Sequence, residues 1–244
     1  MLTPTVQAWL LEGDVSIQYQ TQRDLLGQDL PALQARIATE GWGKQFLDSR
    51  HPEGHWGEQF YQPKWQSTHY TLVDLRHLNL PPHQPQVQSS IQQILDTGKA
   101  DDGGIRLGPS TADRSDVCVN GMVLNYASYF QRAQQDLESL VDMLLGEHMP
   151  DGGFNCRTTR SGAVHSSLHS TISVLEGFHA YLSAGHTYRQ AEVQAAQAAA
   201  QEFFCSISCT SQTAPAASSK TNSYACPTPA AGSMTSCGPW SISS

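Results

Sequence analysis

Glu53-Gly54-His55-Trp56, Asp102-Gly103-Gly104-Ile105 and Asp151-Gly152-Gly153-Phe154 are three versions of one turn: an acidic residue, a glycine, a third turn residue, then a large apolar side chain. Their first glycines stand 49 residues apart in both intervals. A constant spacing within roughly 20 to 50 residues marks a supersecondary unit repeated along the chain. Glycine supplies positive φ at little steric cost, and the apolar residue that follows can tuck back between neighbouring units.

The segments flanking these turns carry apolar residues at helical spacing. Leu137, Leu140, Val141 and Leu144 form one such set, and Leu168, Ile172 and Leu175 another, so both are expected to be buried helix faces. The pattern predicts further helices over 6–11, 17–26, 30–47, 69–78, 87–96, 117–130 and 188–203, the last rich in Ala, Gln and Glu. No strand pattern competes. The expected architecture is all-α, built from helical hairpins joined by glycine turns, with residues 1–203 as one domain.

Composition narrows the function. A net charge of −8 over 244 residues, without any cluster of Lys and Arg, excludes a nucleic-acid partner of the usual basic kind. The start has neither a basic leader nor an apolar h-region, and no run approaches the roughly 18 apolar residues of a transmembrane segment, so the expected location is cytoplasmic. From residue 204 to 244 the chain holds one charged residue, Lys220, and four of its six cysteines among Ser, Thr, Ala and Pro. That composition predicts a disordered low-complexity tail. Codons compatible with Cys226–Ser243 encode a helix-patterned segment when shifted by one base, and those for Phe203–Ala217 extend the preceding helix. The tail is therefore expected to be out-of-frame translation and the domain before it incomplete.

The Gly-aromatic turns, Asp116-Val-Cys118-Val-Asn-Gly121-Met122, Asp151-Gly-Gly-Phe-Asn-Cys156 and the run from His165 to Phe178 together resemble the α/α-toroid superfamily of terpenoid (squalene) cyclases and protein prenyltransferase β subunits, including its bacterial prenyltransferase-like members. The resemblance covers roughly residues 41–203. It implies inner helices ringed by outer ones around a central cavity for an apolar or isoprenoid-like small molecule. A protein partner is not specified by it. The Asp-x-Asp-Asp motif of acid-initiated cyclases and the Asp-Asp-x-x-Asp of magnesium-dependent synthases are both missing. Phosphate-binding loops, dinucleotide fingerprints and nucleophile elbows are missing too.

Two candidate sites remain. Prenyltransferase β subunits hold zinc with an Asp-x-Cys pair and a later His, which the resemblance carries onto Asp116, Cys118 and His169. Zinc accepts such mixed O, S and N donors. The plainer alternative makes Asp116 a helix cap, Cys118 a small buried residue and His169 an interior hydrogen-bonding group. Aligning Leu175 and Gly177 with the family's helix instead puts Ser170 at the ligand position, and Cys156 or His165 could substitute. His165 and His169 would share a face if both were helical. The second candidate is the aromatic stretch of Trp56, Tyr61, Trp65, His69 and Tyr70, which either lines the ligand cavity or packs the first hairpin.

Overall fold

The computed structural model describes residues 3–107, 114–156 and 161–210, and all structural statements concern these. The proposed tail, apart from 204–210, lies outside them. The described chain is all-α; its only β feature is an isolated bridge between Lys99 and Ile105.

Short helices come first: α1 (Pro4–Leu11), α2 (Val15–Gln20), which runs on into a π turn at Thr21–Leu25, α3 (Pro31–Arg36) and α4 (Gly41–Asp48). Asp14 fixes two of them at once. Its carboxylate caps α2 by accepting from the Ser16 amide at 2.9 Å, and its other oxygen accepts from the Trp42 amide at 2.9 Å, at the start of α4. The single helix expected over 30–47 is interrupted at 37–40 and restarts at Gly41, where φ is 59°. A β-carbon there would lie 2.1 Å from Asp14 Oδ2, so the break and the shared cap depend on glycine.

Three hairpins follow: α5 (Thr68–His77) with α6 (Pro85–Thr97), α7 (Val117–Tyr129) with α8 (Gln134–Gly146), and α9 (Leu168–Ser183) with α10 (Gln190–Thr210). The last helix extends past the expected end at 203. Each repeated turn precedes the first helix of a hairpin. The chain closes it through equivalent backbone bonds, His51 to His55, Ala100 to Gly104 and Met149 to Gly153, at 2.8, 2.9 and 3.0 Å. The central glycines 54, 103 and 152 take φ of 98°, 84° and 93°, a region closed to most side chains.

The apolar residue after each turn is sealed inside: Trp56, Ile105 and Phe154 are all buried. Burial strands their backbone amides and carbonyls, and one polar side chain from the following helix answers both. Thr68 Oγ1 accepts from the Trp56 amide at 2.9 Å and donates to its carbonyl at 3.2 Å; Thr171 does the same for Phe154 at 3.0 and 3.2 Å. Asn120 serves Ile105 with its two amide atoms at 2.6 and 3.1 Å. Asp102 and Asp151 add a second lock by accepting from the amide and hydroxyl of Ser115 and Ser166.

Helices α5, α7 and α9 lie side by side with their starts at one end, and α8 packs against both α7 and α10. The closest approach is between α7 and α9, where a β-carbon on Gly177 would sit 2.5 Å from the Gly121 carbonyl oxygen. Leu137, Leu140, Val141 and Leu144 are fully buried as expected. Leu168 and Ile172 are not: they are 42% and 44% exposed, because α9 turns its Ser170, Val174 and Phe178 side inward instead.

Thr171→Val keeps the shape of the side chain but leaves the buried Phe154 amide unanswered. It should lower unfolding free energy by about 1–3 kcal/mol in urea titrations. Gly177→Ala should cost about 1–3 kcal/mol through overpacking against backbone that has no room to move.

Candidate functional site

The starts of α5, α7 and α9 gather the chemically distinctive side chains. Asp116 holds the N-cap position of α7 without capping it through its side chain. One turn on, Cys118 presents its amide to the sulfur of Cys156 at 2.9 Å, and the Ser170 hydroxyl reaches the same sulfur at 3.3 Å. The Cys156 amide in turn donates to Ser170 Oγ at 3.1 Å. Neither Cys118 nor Cys156 is in a disulfide.

These contacts divide the two thiols. Hydrogen bonding from Cys118 lowers the Cys156 thiol, against the opposing effect of burial and with help from Ser170 and the Cys118 amide. Cys118, the donor of that bond, is pushed far up, by the bond first and by burial second. Cys156 is thus the nucleophilic member of the pair near neutral pH, and Cys118 holds the proton.

Tyr61 and Tyr70 complete this end, their hydroxyls 3.1 Å apart and both rings half-buried. Burial raises the Tyr61 phenol, helped by its bond to Tyr70 and by the nearby Asp116 carboxylate. The aromatic and thiol candidates of the sequence are therefore neighbours. Trp65 stacks on Tyr70 with ring centroids 4.7 Å apart, yet is 70% exposed. Its backbone has φ of 73°, an outlier for a bulky side chain that stores about 1–3 kcal/mol of strain.

Other expected site residues fall elsewhere. Trp56 is the buried plug of the first turn, and its indole N–H donates to the Phe46 carbonyl at 2.7 Å. His69 is fully buried among Tyr61, Tyr70 and Tyr126, so it packs the interior. His169 is exposed on α9, whereas Ser170 and Cys156 occupy the place beside Cys118. His165 precedes the helix, which starts at Leu168, so the two histidines share no helical face. The set Asp116, Cys118 and His169 does not converge as a zinc site would require.

Among the described residues, the set of three metal-donor side chains that does converge is His51, Glu53 and His55, with donor atoms all within 4.8 Å of one another. It sits in the first repeated turn, largely exposed, with the two imidazoles stacked at 4.6 Å. The sequence did not single it out. The signal was available in the comparison of repeats, since Ala100 and Gly104 stand where the first turn has its histidines.

No helix of the described residues is long and apolar enough to cross a membrane. No family model, curated protein or solved structure matches the chain.

Burial holds His69 down to about 4, against 6.5 ordinarily, because the charged form has no solvation in the interior. The unfolded chain therefore takes up a proton first as pH falls, and stability contributed by neutral His69 is complete above about 6.5 and lost towards 4. The difference corresponds to on the order of 3 kcal/mol. Urea unfolding at pH 7 and pH 4.5 should show this loss, and His69→Gln should show a smaller one. Separately, alkylation followed by mass spectrometry should find Cys156 modified at lower pH than Cys118, with Cys118 sluggish throughout.

Proposed function

We propose that the chain is a ligand-binding protein of the toroid kind, taking an apolar, isoprenoid-like small molecule at the end of the helix layer where Tyr61, Trp65, Tyr70 and Cys118 meet. The observation that carries this reading is Trp65: a large aromatic ring held in the open on a strained backbone. Folding alone gains little from such an arrangement, since an exposed tryptophan on a left-handed residue costs stability without burying area. A ligand seated against the ring would recover that area.

The surface around it has matching chemistry. Val164, Leu168 and Ile172 are exposed at the same end of α9, and Leu168 and Ile172 continue the helical stripe that leads to Glu176 and His179. The stripe is apolar at the start of α9 and polar further along. A ligand that is mainly hydrocarbon fits the first part, with the Tyr61 and Tyr70 hydroxyls available to a single polar group.

A second reading is favoured by the paired sulfurs. Cys118 and Cys156 offer two soft sulfur donors of the kind zinc prefers, while Asp116 does not converge with them, so a transferase-like zinc site there would need a further ligand from outside this set. Here Cys156 takes the part that the family resemblance gave to His169. When bound, zinc would supply Lewis acidity; the chain's own contribution is the thiolate at Cys156 and the Ser170 hydroxyl that orients it.

Titration with farnesol or geranylgeraniol, followed by tryptophan fluorescence, should give saturable quenching. Trp65→Gly should weaken it roughly five- to thirtyfold, as loss of an aromatic contact worth about 1–2 kcal/mol implies, while leaving the unfolding midpoint unchanged or higher. Absence of saturable quenching in the full chain would overturn the binding reading. Elemental analysis separates the second: stoichiometric zinc lost in both Cys118→Ala and Cys156→Ala supports it, and zinc retained in both assigns the metal to the exposed His51, Glu53 and His55 cluster.

A further inference from the structure

At the opposite end of the layer, the C-terminal ends of α5, α7 and α9 surround a cavity of about 830 Å³. Its lining is rich in arginine and histidine: Arg23 from the π turn, Arg76 from α5, Arg132 after α7, and His179 and His186 from α9 and the turn beyond it. Two of the arginines are already matched. Arg23 is paired with Asp24, which also lines the cavity, and Arg132 with Asp136 at 2.9 Å.

Arg76 is different. It is half-buried, and its guanidinium lies over the Tyr129 ring with 4.3 Å to the centroid. Glu176 is close enough to be felt electrostatically but makes no ion pair with it, and no other carboxylate among the described residues does. The Nε of Arg76 is buried without a hydrogen-bond partner. A desolvated, unmatched guanidinium is costly, and such groups are ordinarily paired.

The same cavity holds three further unanswered groups, Arg132 Nε among them. Ser128 is 1% exposed and its hydroxyl has no partner; Nε2 of His186 is buried and likewise has none. Buried polar atoms are hydrogen-bonded in the great majority of cases, so four unanswered atoms on the residues of one cavity point to a missing acceptor. Helix C-termini by themselves explain cations near carbonyl oxygens. They do not explain an Nε and a hydroxyl with nothing to donate to.

We propose that this cavity binds a compact oxyanion, the phosphate or carboxylate group of a small molecule, with Arg76 as its charged partner and Ser128 and His186 as hydrogen-bonding partners. The planar guanidinium presents a fork suited to two oxygens of one acid group. Asp24 stays engaged by Arg23 and so does not compete for Arg76. This site is at the other end of α5, α7 and α9 from the aromatic and thiol cluster, and its occupancy does not depend on what that cluster binds.

The test is isothermal titration of the full chain with inorganic phosphate and with acetate, at constant ionic strength set by chloride. Saturable heat with either anion, beyond chloride, is the expected result, and the tighter of the two identifies which acid group the site prefers. Arg76→Met should weaken binding at least tenfold and Ser128→Ala severalfold, with unchanged helical circular dichroism. If Arg76→Met does not fold, Arg76→Lys, which keeps the charge and loses the fork, should still weaken binding measurably. No saturable heat in the unaltered chain, or full affinity in the folded Arg76 variants, would overturn the proposal.

Discussion

The fold depends on a small polar side chain answering both backbone groups of a buried neighbour. Without Thr68, Asn120 and Thr171, the residues that plug the three turns would bury amide and carbonyl groups with nothing to bond to, at a cost comparable to much of a domain's net stability. With them, each turn is welded to the helix that follows it, and consecutive hairpins inherit the same offset. The bond is local in space but spans 12 to 17 residues of chain, so it sets where each of α5, α7 and α9 begins. That alignment brings the starts of the three helices to one end and their last turns to the other. Both polar clusters of the molecule are consequences of it.

Much of this was legible because it is periodic. The 49-residue spacing of the glycines located the turns, and helical spacing located the hairpin helices, including the fully buried face of α8. What periodicity could not supply was orientation at the edge of the stack. Leu168 and Ile172 carry the same i, i+4 signal as buried residues, yet α9 has no further hairpin among the described residues to cover that side. A helical pattern states that one face is apolar; it does not state whether a neighbour is present. The break before Gly41 was hidden for another reason, since it depends on a carboxylate 27 residues earlier that also caps α2.

The candidate site was legible in its composition but not in its pairing. Asp116 and Cys118 were visible as a short motif, and the aromatic stretch as a density of rings. That the two belong together follows from the side-by-side placement of α5 and α7, which no local signal encodes. The choice among Cys156, His165, Ser170 and His169 turned on where α9 starts. Because the helix begins at Leu168, residue 170 faces α7 and residue 169 faces outward, one step of about 100° apart. A one-residue shift in that start would have exchanged them.

The two ends of the helix layer also differ in the charge they can tolerate. At the start of α7 a backbone amide points at Cys156, and a thiolate there gains a donor that the rest of the helix has left unused. At the far end the exposed groups are carbonyl oxygens, which favour cations, and arginines have collected there. An anion held at that end must therefore be bound by side chains against the local helix field, which is why a guanidinium with a free Nε and two further donors matter more than net positive charge. Arg23 and Arg132 add charge but have spent it on Asp24 and Asp136. The capacity of the cavity rests on the one arginine among the described lining residues that lacks a carboxylate.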